Sequence, residues 1–108
     1  MINAIIIDDE PAARASLALE IKLHCPQIRI IAEASSVAEG VEAVGSHPQA
    51  SLLFLDIQMT DGSGFDLLQQ INFESLKIIF TTAYSEYALR AIKFAPLDYL
   101  LKPIDAQE

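Results

Sequence analysis

Short apolar runs alternate along the chain with longer amphipathic ones. The first run, residues 3–8 (NAIIID), is rich in β-branched residues and predicts a buried strand. Residues 11–25 (PAARASLALEIKLHC) predict a helix, with Pro11 suited to its first turn and Leu17 and Ile21 on one face. Residues 28–34 (IRIIAEA) predict a second strand. Residues 37–46 (VAEGVEAVGS), capped by Ser35 or Ser36, predict a second helix diluted by Gly40 and Gly45. A third strand is expected over 50–56 (ASLLFLD), a loop over 57–63, and a third helix over 64–72 (GFDLLQQIN). Gly64 lets that helix start close to its strand. Residues 77–82 (KIIFTT) predict a fourth strand and residues 98–102 (DYLLK) a fifth. Between them, residues 85–95 (SEYALRAIKFA) predict a fourth helix, capped by Ser85 and stopped by Pro96.

Strands alternating with helices at this spacing imply an α/β fold, a parallel sheet covered on both faces. The near-continuous apolar runs agree, because such strands are buried on both sides. In open sheets of this kind ligands bind beyond the carboxyl ends of the strands, where the strand order reverses. Neither repeats nor low-complexity segments interrupt the pattern.

Composition narrows the partners. At 108 residues the chain is one domain, 52% hydrophobic and 20% charged. Its net charge of −8 argues against wrapping nucleic acid or lying on an anionic membrane, and suits a cation or a basic partner. Cys25 is the only cysteine, so no internal disulfide can form. No basic leader precedes the first strand and no apolar run approaches a membrane span, so a cytoplasmic location is expected.

The predicted strand ends carry the chemistry. The first ends in Asp8 and Asp9, the third in Asp56, the fourth in Thr81 and Thr82, and the fifth in Lys102. A parallel sheet brings these ends to one edge. Neighbouring carboxylates are costly unless a cation neutralises them, and hard oxygen donors suit Mg²⁺. Lys102 would add a second positive charge for an anion held there, and Thr82 a hydroxyl donor. The set reads as a phosphoryl site with a carboxylate nucleophile, and Asp56, before a glycine-containing loop, is the best candidate.

The segments IIIDDEP, LLFLDIQMTDGSG, IIFTTAY and DYLLKP together resemble the receiver domain of two-component response regulators, over essentially the whole chain. The later segment AYSEYALRAIKFAPLDYLLKPID is similar to receivers attached to LytTR-type DNA-binding domains. The resemblance implies a flavodoxin-like, doubly wound sheet of order 2-1-3-4-5. It implies that Asp56 is the phosphoacceptor, Asp9 a direct Mg²⁺ ligand and Asp8 a more indirect one. The backbone carbonyl of Gln58 would complete the protein ligands. Thr82 would be the switch hydroxyl, Tyr99 the aromatic that moves with it, and Lys102 the contact to phosphoryl oxygens, followed by a cis bond to Pro103.

A histidine kinase is the implied phosphodonor, and a DNA-binding output domain the implied partner in a longer regulator. Residues 1–108 would then be a single receiver domain that touches neither nucleic acid nor membrane itself. Thr60 stands where the family usually has proline. The chain stops at Glu108, before the family's fifth helix, so an uncovered face and a possible homodimer are expected.

Two other functions compete. One is an Mg²⁺-dependent phosphohydrolase of the haloacid dehalogenase type, built on D-x-D-x-T. Here DIQMT places Gln58 where the second acid belongs, and glutamine is no general acid. The other is a receiver-like binding module that works without phosphorylation. Taken singly, each residue also has a plainer reading. Asp8, Asp9 and Glu10 could favour a helix dipole, Asp56 could be a cap, Thr82 a strand residue, Lys102 a solvated charge and Tyr99 core. His24 and His47 read as surface residues, Cys25 as partly buried, and Asp61, Asp66, Asp98 and Asp105 as solvated or capping acids.

Overall fold

In the computed structural model, which describes residues 1–103, the expected strands and helices follow in the expected order, with a short two-stranded ribbon where a loop was expected over 57–63. They are β1 (Ile2–Ile7), α1 (Pro11–His24), β2 (Ile28–Ala34), α2 (Val37–Ser46), β3 (Leu52–Asp56), β4 (Gln58–Met59), β5 (Gly62–Ser63), α3 (Gly64–Gln69), β6 (Lys77–Thr82), a 3-10 turn (Ser85–Tyr87), α4 (Ala88–Ile92) and β7 (Asp98–Leu101). Five strands form one sheet of order β2-β1-β3-β6-β7, and every neighbouring pair is parallel. This is the expected 2-1-3-4-5 order, once β4 and β5, a separate antiparallel ribbon, are set aside. Asp105 and any helix after Pro103 lie outside the described residues.

Strand alternation feeds two cores. On one face Ile5, Ile7, Leu53, Leu55 and Phe80 pack with Val37 of α2, Phe65, Leu67 and Leu68 of α3, and Ala91 of α4. On the other, Ala4, Ile6, Leu52 and Phe54 meet Leu17 and Ile21 of α1. Successive side chains point to opposite faces, so a strand covered on both sides must be apolar throughout. The order reverses between β1 and β3, whose carboxyl ends therefore border the crevice.

The helix starts follow from local chemistry. Pro11 occupies the first turn of α1, where its missing N–H is no loss. Ser36, one of the two expected caps, accepts from the Glu39 amide at 3.0 Å. Asp61, from the loop after β4, accepts from the Val37 and Ala38 amides at 2.8 and 3.1 Å, and these bonds lower its pKa. A capping box of Ser63 and Asp66 starts α3.

Three elements differ from expectation by two residues or more, and others by a single residue at an end. The third strand starts at Leu52, and α3 ends at Gln69 rather than at residue 72. The fourth helix is the largest change, for its α-helical part is only Ala88–Ile92. Ser85 begins a 3-10 turn and does not cap, and Tyr84 before it makes no side-chain cap bond. At the far end Phe94 and Ala95 bond back to the Ala91 and Ile92 carbonyls, a tightened last turn. Ala95 then takes φ 50° before Pro96, which disfavours α geometry in the residue it follows. With only Ala91 buried, α4 leaves Leu89 and Ile92 exposed.

Candidate functional site

The four strand ends do meet. Past Ile7 the chain presents Asp8 and Asp9, and β3 ends on Asp56. Asp8, Asp9 and Asp56 each offer a carboxylate oxygen, all within 4.8 Å of one another. Asp8 and Asp56 are buried, at 3% and 5% exposure, which makes their shared charge costly. Lys102, just past β7, answers part of it. Its Nζ lies 2.7 Å from Asp8 Oδ2 and 3.4 Å from Asp56 Oδ2.

The titration of these groups follows. Burial, and then the charge of Asp8, push the Asp56 carboxyl up from 3.8 to about 6, while Lys102 holds it back. Burial works against the Lys102 ammonium. Its hydrogen bond to Asp8 and the charges of Asp56 and Asp8 outweigh that and raise its pKa.

Local bonds fix the cluster. Asp8 Oδ1 accepts from the Glu10 amide at 2.9 Å, and Arg14 Nη1 donates to the Asp8 carbonyl at 2.6 Å. Arg14 is steadied in turn by Glu33 at 3.5 Å. Gly64 lets the chain return across β3, because a Cβ there would lie 2.5 Å from the Asp56 carbonyl oxygen. The Gly64 amide donates to the Ile57 carbonyl at 2.8 Å.

The acids open into a cleft of about 630 Å³, lined by Asp8, Asp9, Asp56, Gln58, Thr81 and Lys102 among others. Two expected residues sit apart from that lining. Thr82 is fully buried, and its Oγ1 accepts from the Tyr84 amide at 3.3 Å. Tyr99 packs on Phe80 with ring centroids 6.2 Å apart and donates its hydroxyl to the Tyr84 carbonyl at 2.5 Å. Thr82 and Tyr99 thus share one neighbour, the backbone of Tyr84. The Lys102–Pro103 bond is cis. Sequence reasoning missed Arg14, Tyr84 and Tyr87, for contacts across loops leave no periodic signal.

The donor set fits Mg²⁺. Its ligands are hard oxygens, and one ion bound at about 2.1 Å accommodates donors spread over roughly 4 Å, close to the spacing found. Asp8, Asp9 and Asp56 are the side chains that would hold it. Lys102 meanwhile supplies positive charge to the same carboxylates.

Comparison with known proteins agrees with this geometry. The profile described as the response regulator receiver domain matches residues 4–108. The chain belongs to that family, the receiver domains of two-component response regulators. Over 108 residues it is 42% identical to the sensory transduction protein LytT of Enterococcus faecalis, covering 98% of this chain and 44% of LytT. Over 106 residues it is 42% identical to the transcriptional regulatory protein BtsR of Escherichia coli K12, covering 97% of this chain and 44% of BtsR. The receiver thus spans less than half the length of either relative. Among solved structures, the REC domain of AraT, a response regulator from Geobacillus stearothermophilus, superimposes with a TM-score of 0.84 at 33% identity. It covers 97% of this chain and 84% of the AraT chain. None of the receiver's described helices is long and apolar enough to cross a membrane.

Proposed function

We propose that this receiver accepts a phosphoryl group from a histidine kinase on Asp56 and uses the change to control an output domain. One observation carries the reading: buried Asp56 lies beside two further carboxylates and within 3.4 Å of an ammonium, in the lining of an open cleft. A carboxylate so placed is a nucleophile with cationic help already at hand.

In the transfer, an Asp56 carboxylate oxygen attacks phosphorus in line. The O–P bond forms as the P–N bond to the donor imidazole breaks, and the imidazole departs with the bonding electron pair. Lys102 turns from the carboxylates toward the new phosphoryl oxygens and offsets their charge. Thr82 keeps its hydroxyl proton available, because its oxygen accepts from the Tyr84 amide. A bound Mg²⁺, held by Asp9, Asp56, Asp8 and the Gln58 carbonyl, would neutralise charge gathering between carboxylate and phosphoryl group.

Rotation of Thr82 toward the phosphoryl group gives up its bond to Tyr84. Tyr99 rests on the same residue through the Tyr84 carbonyl, so the two side chains move together. The α4–β7 surface is where that motion emerges. Receiver chemistry of this kind is self-phosphorylation and slow self-hydrolysis, and it turns over no separate metabolite.

We assign residues 1–108 to one receiver domain of a longer, cytoplasmic regulator whose output is transcriptional. The LytTR-like segment and the length of the relatives support this. DNA contact belongs to the output domain, and Leu89, Ile92 and Leu97 offer an apolar surface for a homodimer.

The phosphohydrolase reading fits less well, since Gln58 brings a carboxamide where a general acid is needed. Mass spectrometry after acetyl phosphate and Mg²⁺ treatment tests the proposal. The wild type should gain one phosphoryl group, and Asp56→Asn none. An unmodified wild type would favour a binding module that works without phosphorylation, and sustained turnover of an aryl phosphate would favour the hydrolase.

A further inference from the structure

Gln58 stands where two clefts meet. It lines the acidic cleft and also a second one, of about 460 Å³, bordered by Met59, Thr60, Phe65, Tyr87 and Arg90. Its side chain is exposed, yet it is not loose. The carboxamide Nε2 donates to the Tyr87 hydroxyl oxygen at 2.8 Å. That bond joins a position two residues past Asp56 to the 3-10 turn, 29 residues away.

Tyr87 is well placed to serve as an anchor. Its ring meets Phe65 edge-on with centroids 6.5 Å apart, and Tyr84 edge-on at 6.0 Å. Phe65 is 2% exposed, stacks on Phe94 at 5.4 Å, and carries the Arg90 guanidinium 4.7 Å from its ring centre. The hydroxyl is therefore presented from an aromatic cluster rooted in the core. Such edge-on contacts favour one placement of the ring beyond the area they bury.

The segment it holds needs holding. Residues 58 and 59 pair only with Gly62 and Ser63, a ribbon too short to be stiff by itself. Proline would have fixed φ in this loop, and Thr60 does not. Asp61 secures the tip on the α2 amides. Ile57 is buried in the core and Met59 packs against it, and between them the Gln58 side chain is tied by its hydrogen bond to Tyr87.

We propose that Tyr87 is a positioning residue for the divalent-ion site, acting through the Gln58 side chain to fix the backbone that carries the Gln58 carbonyl. The inference rests on reading the acidic cleft as an Mg²⁺-dependent phosphoryl site. Tyr87 itself touches neither ion nor phosphoryl group. Partners that orient ligands in this way commonly govern metal affinity.

The test is an Mg²⁺ titration of the full chain, followed amide by amide with heteronuclear NMR. In the wild type, Asp9, Asp56, Gln58 and Tyr87 should respond together with one dissociation constant. Tyr87→Phe keeps the ring and removes the acceptor, and should weaken Mg²⁺ about three- to tenfold, the equivalent of one net hydrogen bond. Gln58→Ala, at an exposed side chain, should weaken it equally. The double variant should lose no more than either single one, and the amide at position 87 should stop responding to Mg²⁺ in all three. Wild-type affinity in Tyr87→Phe, or losses that add in the double variant, would overturn the positioning role alone. A wild type that binds no Mg²⁺ at Asp9 and Asp56 would remove the phosphoryl reading as well.

Discussion

Asp56 carries two burdens at once. It is buried, and it faces Asp8, so its charged form is disfavoured until a cation arrives. The folded pKa of about 6 lies above the ordinary 3.8, so the folded state binds the proton more tightly than the unfolded chain. Below the ordinary value both states are protonated and the residue is neutral for stability. As pH rises through the window to 6 the folded state loses ground, and above it the full penalty remains. A shift of this size is worth at most about 3 kcal/mol, and water in the open cleft reduces it toward 1–2 kcal/mol. Asp56→Asn, uncharged throughout, should therefore be more stable than the wild type at pH 7–8 without divalent ions. The gap should close by about pH 4. Urea denaturation at several pH values checks this, and a variant less stable at pH 8 would contradict it. The residues involved were legible in the sequence because acids, threonine and lysine each terminate an apolar run. The bonds that tune them were not. Tyr99 on the Tyr84 carbonyl, and Gln58 on Tyr87, join positions 15 and 29 residues apart, and nothing periodic announces them.

At the level of elements, two glycines show how one residue type answers opposite demands. Gly64 begins α3 against the end of β3. An added Cβ would sit 2.5 Å from the Asp56 carbonyl oxygen and 3.0 Å from Leu55 Cγ. Backbone cannot yield as a side-chain tip can, so Gly64→Ala should destabilise by about 1–3 kcal/mol and disturb Asp56. Gly45, near the end of α2, has nothing within 4 Å of the same atom. Gly45→Ala should be neutral or raise stability by up to about 1 kcal/mol through helix propensity. Paired denaturation curves decide it, and equal effects would mean the close approach at Gly64 is relieved elsewhere. The sequence anticipated Gly64 but read Gly40 as mere dilution of a helix. In the fold a Cβ at Gly40 would strike Leu67 and Ile7, so that glycine sets how closely α2 packs. The fourth helix misled for a related reason. Its apolar residues have helical spacing, yet most of them are exposed, and Pro96 restricts the backbone of Ala95 before it.

The whole molecule is a sheet whose interior is satisfied and whose carboxyl edge is not. Its net charge of −8 spreads over the surface, but three carboxylates are concentrated at the order reversal, with one ammonium among them. General screening and specific binding therefore make different predictions. Salt weakens repulsion between exposed charges within about a Debye length and reaches buried pairs far less. An ion seated among Asp8, Asp9 and Asp56 instead binds the folded state alone and stabilises it by mass action. At a hundredfold excess over its dissociation constant that amounts to about 2.7 kcal/mol. For a domain of this size it corresponds to a rise of roughly 10 °C or more in thermal midpoint. Millimolar Mg²⁺ should thus raise the midpoint well beyond sodium chloride of equal ionic strength, and chelation should reverse it. In Asp9→Asn most of the Mg²⁺-specific part should vanish while the salt response stays. If the two salts acted alike in the wild type, the acids would be neighbours by topology alone. The strand ends would then meet for reasons of fold rather than of chemistry.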